Sequence, residues 1–354
     1  MSSEAQEKWA MNANIAMAVV LPLGELAAIG VTSWVVVGAA LDAGGATRIG
    51  ILFGYCLLLL VLLIAFATLV LQVWVNPGRV RKSEEATPLG DVYLCNHTGD
   101  ERFCSDCGMT KPNRTSHCHI LGFCIDRYDH YCPYASGAVS ATTHKNFFLF
   151  VLYASFYTLF SSITIAVFLK ERIDRSDSKP ASWIAALTVS SLFFFFSAGM
   201  VAESMKNLLA NMTSVENLKK GATQYIAVRG RAANALQTPI LNPRLRQITS
   251  VIGETERDGQ FYIIFMLNPG FGPLWRRGPM ENFKSVMGES FLDWANPFSR
   301  SPIVKAGKDE LRYTWGFSVE ALMLEYGCGT FSRNRPKHLS IVSGEKSSVF
   351  RVRG

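Results

Sequence analysis

Residues 49–75 read IGILFGYCLLLLVLLIAFATLVLQVWV, a run without a charged side chain. Crossing the hydrocarbon core of a bilayer as helix takes roughly 20 apolar residues, and this run exceeds that length. Hydrocarbon offers the backbone no water, so a segment inside it must bond its own N–H and C=O groups, as a helix does. Working outward, three further apolar runs fall at about residues 13–41, 147–169 and 182–210, each bounded by charged or Pro/Gly-containing sequence. They explain why this 354-residue chain is 49% hydrophobic with a mean hydropathy of +0.17, a composition unlike that of two or three soluble domains. The expected fold is a multi-pass α-helical membrane protein with four transmembrane helices and both chain ends on one side. Residues 1–12 carry Glu4, Glu7 and Lys8, and the apolar run after them is too long for a signal-peptide core. The first span therefore reads as a permanent anchor.

Lysine and arginine decide the side, because they gather in cytoplasmic segments near membrane ends. Between the second and third runs lie Arg79, Arg81, Lys82, Arg102, Lys111, Arg114, Arg127 and Lys145, and the segment after residue 211 is richer still. Arg48 alone separates the first two runs, while Lys170, Arg172, Arg175 and Lys179 after the third are offset by Glu171, Asp174 and Asp177. The expected organisation is a cytoplasmic N-terminus (1–12), helices 1 and 2 (13–75), a cytoplasmic cysteine-rich domain (76–146), helices 3 and 4 (147–210) and a cytoplasmic C-terminal region (211–354). The +7 net charge then reads as attraction to anionic lipid, which makes the bilayer the partner and leaves nucleic acid out.

Cys95, Cys104, Cys107, Cys118, Cys124 and Cys132 crowd into the middle loop, with Cys56 in a span and Cys328 in the tail. On the reducing side of a membrane such cysteines serve metal binding or catalysis rather than disulfides. Cys104-Ser-Asp-Cys107 is a Cys-x2-Cys knuckle followed by His117 and Cys124, and three thiolates with one imidazole suit tetrahedral zinc. A loop without a core of its own gains folding free energy from such a metal. Cys95, His97, His119 and His144 leave a second, irregular site open. Beyond the knuckle stands Asp129-His130-Tyr131-Cys132. A cysteine attacks only as thiolate, so an acyl-transfer site needs a base within reach and a group that fixes the base. His130 is the candidate base for Cys132, and Asp129 the group that sets its tautomer and stabilises its protonated form.

From Cys104 through Lys111-Pro112-Asn113-Arg114, His117-Cys118, Cys124 and Asp129-His130-Tyr131-Cys132-Pro133, the chain resembles the cysteine-rich domain of Asp-His-His-Cys palmitoyltransferases. Asn76-Pro77-Gly78, Thr213-Ser214-Val215-Glu216, and Asn282-Phe283 with Val286-Met287-Gly288 are similar to the shorter motifs of that family. The resemblance implies an integral protein of eukaryotic endomembranes (Golgi, endoplasmic reticulum or plasma membrane) whose active site faces the cytosol. In it Cys132 takes a fatty acyl group from palmitoyl-CoA or another long-chain acyl-CoA and passes it to juxtamembrane cysteines of membrane or membrane-associated proteins. The family arrangement has two zinc sites, each of three Cys and one His. Cys104, Cys107, His117 and Cys124 match one; at the other, Cys118 is joined by Leu121, Tyr131 and Ala138. Three carbon-rich side chains in place of ligands lead to the expectation of one structural zinc. Tyr131 replaces a family zinc ligand, the family's base is kept as His130, and Asp-His-Tyr-Cys variants in the family work as transferases.

The resemblance also assigns Lys111 and Arg114 to the CoA head group, a solvated charged pair being the other reading. It gives Ser214 a hydrogen bond to Asp129, where a helix cap is the alternative, and Asn282 the task of tying the tail to the span ends. A long acyl tail carries about 0.8 kcal/mol of transfer free energy per CH2, which favours a cavity between the spans. Tyr153 and Tyr157 either face that cavity or anchor at the interface. Glu25 either lines the acyl tunnel or bonds a neighbouring helix, and Pro22 beside it suggests a kink. A membrane-anchored zinc-binding adaptor without chemistry is the alternative function, and it leaves the Asp129, His130 and Cys132 grouping unexplained. A transporter would need polar residues in the spans beyond Glu25 and Glu203. Residues 261–267, FYIIFML, read as a buried strand or a membrane-lying segment, and the ending from Arg333 as a loosely ordered basic tail.

Overall fold

The computed structural model describes residues 3–82, 89–176, 180–230, 243–268, 271–305 and 313–326; Cys328 and the basic ending from Arg333 lie outside them. The four apolar runs form α1 (Ser3–Asp42), α2 (Gly45–Val75), α3 (His144–Ser176) and α4 (Ala181–Ala210). All four are long and apolar enough to cross a membrane. α1 runs through Pro22 as one helix. α3 packs between α2 and α4, and α1 touches all three. Leu62 and Leu69 of α2, Phe150 and Tyr157 of α3 and Trp183 of α4 form the inner core, while Trp34, Trp74, Leu192 and Phe195 stay exposed on the outside. A water-borne fold would not leave so many large apolar side chains uncovered, whereas lipid covers them without cost. The chain is an integral membrane protein.

The ends of the bundle are pinned by charge. Arg48 donates to the carbonyls of Ala40, Leu41 and Ala43, which the end of α1 leaves without helical partners. Arg172 pairs with Asp42 at 3.1 Å and lies over the Trp183 ring, joining α1, α3 and α4. At the other end α4 stops where Asn211 turns left-handed, with φ of 50°.

Between α2 and α3 the chain makes β1 (Val92–Cys95) and three short hairpins: β2 (Phe103–Cys104) with β3 (Met109–Thr110), β4 (Ser116–Cys118) with β5 (Phe123–Ile125), and β6 (His130–Cys132) with β7 (Gly137–Val139). After α4 come the short α5 (Ser214–Leu218) and strands β8 (Gln224–Arg229), β9 (Thr249–Arg257) and β10 (Gln260–Leu267). These complete an antiparallel sheet in the order β1-β8-β10-β9. The 261–267 run is thus a buried strand and not a membrane-lying segment. Its continuous apolar character follows from cover on both faces: Ile263 and Phe265 pack toward Trp275 and Tyr326, Tyr262 and Ile264 toward Tyr93 and Cys95. One sheet therefore joins the cysteine-rich loop to the segment after α4.

The loop is also fastened to α2. Asp126 donates its N–H to Gly78 O, and Thr142 its hydroxyl to Asn76 O. A Cβ on Gly137 would collide with Val73 of α2, so only glycine lets the β6–β7 hairpin sit this close to the span.

Candidate active site

Each hairpin carries part of the chemistry. Cys104 stands on β2, Cys107 in the turn after it, and His117 faces Cys124 across the β4–β5 ladder. The Nδ1 atom of His117 lies 3.6, 3.3 and 4.0 Å from the sulfurs of Cys104, Cys107 and Cys124. A tetrahedral zinc with Zn–S near 2.3 Å and Zn–N near 2.0 Å separates such atoms by about 3.5 Å, so the donor set fits that ion. The other ring nitrogen of His117 faces Asp106 at 3.4 Å, an arrangement that fixes the tautomer in which Nδ1 is free to bind metal. Burial lowers the His117 pKa, which also favours the neutral imidazole that a ligand must be.

The third hairpin presents His130 and Cys132 two positions apart on β6, hence on the same face of the strand. His130 Nδ1 and Asp129 Oδ2 are 2.7 Å apart. Ser214, the first residue of α5, donates its N–H to Asp129 Oδ1 at 2.6 Å and its hydroxyl to Oδ2 at 3.1 Å. Burial pushes the Asp129 carboxyl up, but the His130 bond, the His144 and His130 rings and the Ser214 N–H outweigh it and hold it well below the usual range. Burial pulls His130 down, yet hydrogen bonds to Asp129 and Cys132 and their charges raise its pKa to about 9. At neutral pH this imidazole therefore carries the proton, and an imidazolium beside the Cys132 sulfur is the setting that favours a thiolate.

Cys132 opens into an apolar cavity between the four spans, about 780 Å³ including its mouth, walled by Ile29, Leu62, Phe150, Tyr157, Phe193 and Met200 among others. Farther along the bundle, Ser33 Oγ lies 2.6 Å from Tyr55 OH, which lies 2.7 Å from Tyr157 OH. That chain of hydroxyls crosses α1, α2 and α3.

Against known proteins, the family model described as DHHC palmitoyltransferase matches residues 97–221. Residues 97–221 are a DHHC palmitoyltransferase domain. The chain is 30% identical over 250 residues to palmitoyltransferase pfa5 of Aspergillus fumigatus, covering 67% of this chain and 56% of that protein. It is 27% identical over 271 residues to palmitoyltransferase pfa5 of Emericella nidulans (67% and 55%) and 25% over 232 residues to palmitoyltransferase PFA5 of Candida glabrata (64% and 61%). The chain thus spans little more than half the length of these relatives.

Within the DHHC domain, Cys118 belongs to no group of metal donors among the described residues. It is buried with Ile125 and Ala138, with Leu121, Tyr128 and Tyr131 packed against them. Cys95 lies in the sheet core, and among the described residues no metal-sized group brings it together with His97, His119 and His144. His119 groups instead with Asp106 and His117.

Arg114 is not available to a CoA head group. Its guanidinium is buried, paired bidentately with Glu216 at 2.8 and 2.7 Å, bonded to Asn211, and flanked by the rings of Trp275 and Tyr313 at 5.2 Å each. Lys111 does face an open pocket, together with Arg102, Ser116, His119 and Lys219. Sequence reasoning missed Arg102 and Lys219. The hairpin geometry of a Cys-x2-Cys knuckle offered a signal for Arg102, since Lys111 donates its N–H to the Arg102 carbonyl across the β2–β3 ladder. Tyr157 lines the cavity, whereas Tyr153 gives its hydroxyl to Ala295 O. Asn282, on the helix Pro279–Met287, donates to Leu209 O at 2.7 Å near the end of α4.

Proposed function

We propose that this chain is a protein S-acyltransferase of a eukaryotic endomembrane, its active site facing the cytosol, in which Cys132 relays a fatty acyl group from a long-chain acyl-CoA to cysteines of proteins at the membrane surface. The observation that carries this reading is the 2.7 Å bond between Asp129 and His130 beside a cysteine that opens into an apolar cavity inside the bundle. An adaptor has no use for that conjunction.

In the first step Cys132 reacts as the thiolate of an ion pair with the His130 imidazolium, which holds its proton, and the thiolate attacks the thioester carbonyl. A new C–S bond forms, the bond to the CoA sulfur breaks, and the departing CoA thiolate recovers the proton from His130. In the second step a substrate cysteine gives its proton to His130 and takes the acyl group, and Cys132 leaves as thiolate and is reprotonated. Thioester exchanged for thioester is close to isoenergetic, so positioning and thiolate generation carry the rate. Asp129 and Ser214 position the imidazole. The acyl chain occupies the cavity, and Arg102, Lys111 and Lys219 take the phosphates of CoA. Arg102 Nε is buried without a hydrogen-bond partner among the described residues, as suits a group that awaits an anion. Cys104, Cys107, His117 and Cys124 hold one structural zinc, and the packed Cys118 lobe needs none.

Incubation with a clickable fatty acyl-CoA tests the reading. A hydroxylamine-sensitive label is expected on the wild type and none on Cys132→Ala; full labelling of Cys132→Ala contradicts it.

A further inference from the structure

Among the described residues that line the cavity opening at Cys132, Glu25 is the only carboxylate. Its Oε2 is enclosed and has no hydrogen-bond partner among the described residues, so none of the neighbouring helices satisfies that oxygen. Four hydroxyls of the wall are spent on their own helices, Thr32 on Ala28 O, Thr158 on Ala154 O, Ser190 on Leu187 O and Ser197 on Phe194 O, and that of Tyr157 on Tyr55; Tyr134, on the turn after Cys132, adds one more phenol to the lining. Glu25 Oε2 therefore stands as an unused acceptor in a mainly apolar pocket.

Its depth follows from the helix. Ser136, four residues after Cys132, donates its hydroxyl to Ala18 O at 2.9 Å, which ties α1 to the active-site hairpin at that level. Glu25 stands two turns further along α1, about 10 Å deeper at 1.5 Å per residue. The cavity continues past it to Thr32 and Tyr157. The carboxyl thus meets the middle of a long acyl chain and not its thioester.

A plain hydrocarbon chain in this cavity would bury Oε2 against methylene groups, and a polar group buried without a partner is expensive in either protonation state. Sites that hold such a group discriminate sharply against ligands that cannot bond it. We propose that the cavity selects an oxygenated acyl chain, with Glu25 accepting a hydrogen bond from a mid-chain hydroxyl of a long-chain hydroxyacyl-CoA. This specificity rests on the reading of Cys132 as acyl carrier. The transfer chemistry is unchanged: the hydroxyl is bound and does not react.

The test is competition. Full-length protein is given equal amounts of hexadecanoyl-CoA and mid-chain hydroxyhexadecanoyl-CoA, and the acyl groups on the Cys132 peptide are weighed by mass spectrometry. The wild type is expected to favour the hydroxylated chain by roughly tenfold or more. Glu25→Leu, which removes the acceptor, is expected to reverse the preference while accepting hexadecanoyl-CoA more readily. Glu25→Gln, which keeps an acceptor oxygen, is expected to retain it. Equal use of both chains by the wild type, or an unchanged preference in Glu25→Leu, overturns the specificity and leaves Cys132 chemistry standing. No acyl group on Cys132 from either CoA overturns both readings.

Discussion

Ser214 holds both oxygens of Asp129, its N–H at 2.6 Å from Oδ1 and its hydroxyl at 3.1 Å from Oδ2, although 85 positions separate the two residues. The carboxylate that orients His130 is thereby fixed from beyond α4. Ser214→Ala removes the hydroxyl bond but keeps the N–H, so autoacylation is expected to slow by roughly two- to tenfold in single-turnover labelling.

The pH dependence separates Asp129 from its support. His130 is raised to about 9 in the folded protein against about 6.5 for a free imidazole. Its pairing with Asp129 therefore contributes stability in full below about 6.5 and loses it as pH rises through about 9. The Asp129 carboxyl is lowered, so its contribution is present above about 3.9 and is lost as pH falls below that range. The alkaline limb of the acylation rate is expected near pH 9, where the imidazolium that protonates the CoA sulfur disappears. Asp129→Asn moves that limb toward 6.5, and Ser214→Ala leaves it near 9; a limb unmoved in Asp129→Asn would contradict the assignment of the base.

The metal site makes a sharper contrast between cysteines. Cys107→Ala is expected to lose both zinc and autoacylation although Cys132 is untouched, because metal binding is folding free energy for these hairpins. Cys118→Ala, which only thins an apolar cluster, should keep the zinc and much of the activity. Elemental analysis is expected to give close to one zinc per chain, and a value near two would mean that Cys118 finds ligands after all.

Among the cations, position decides the phenotype. Lys111→Ala and Lys219→Ala should raise the KM for acyl-CoA, more so at low salt, while leaving the melting temperature nearly unchanged. Arg114→Ala strands Glu216 and empties the space between Trp275 and Tyr313, so thermal unfolding is expected to shift down by several degrees before any KM can be read. An unshifted melting curve for Arg114→Ala would return that residue to the list of CoA ligands.

Local pattern made the spans and the zinc ligands legible, because each depends on neighbours within a turn or a hairpin. The same holds for Asp129, His130 and Cys132, which fall within four consecutive residues, the last two on one short strand. Arg114 was not legible in this way: its partners Glu216, Asn211, Trp275 and Tyr313 lie about a hundred or more positions along the chain, and a KPxR pattern says nothing of them. The sheet was hidden for the same reason. Val92 pairs with Val228, so β1 gains its register only when α3 and α4 bring the two segments together. The run 261–267 looked ambiguous because burial on both faces erases the alternation that marks a strand.

In the proposed mechanism Cys132 is an acyl carrier and not merely an acylated cysteine. A pulse of palmitoyl-CoA followed by a cysteine peptide anchored to lipid vesicles tests it most directly, with the Cys132 peptide weighed through time. One palmitoyl group is expected on Cys132 during the pulse, and it should vanish at the rate at which the acceptor peptide gains one. Palmitate that stays on Cys132 while the acceptor remains bare, or an acceptor that is acylated equally by Cys132→Ser, would contradict the account.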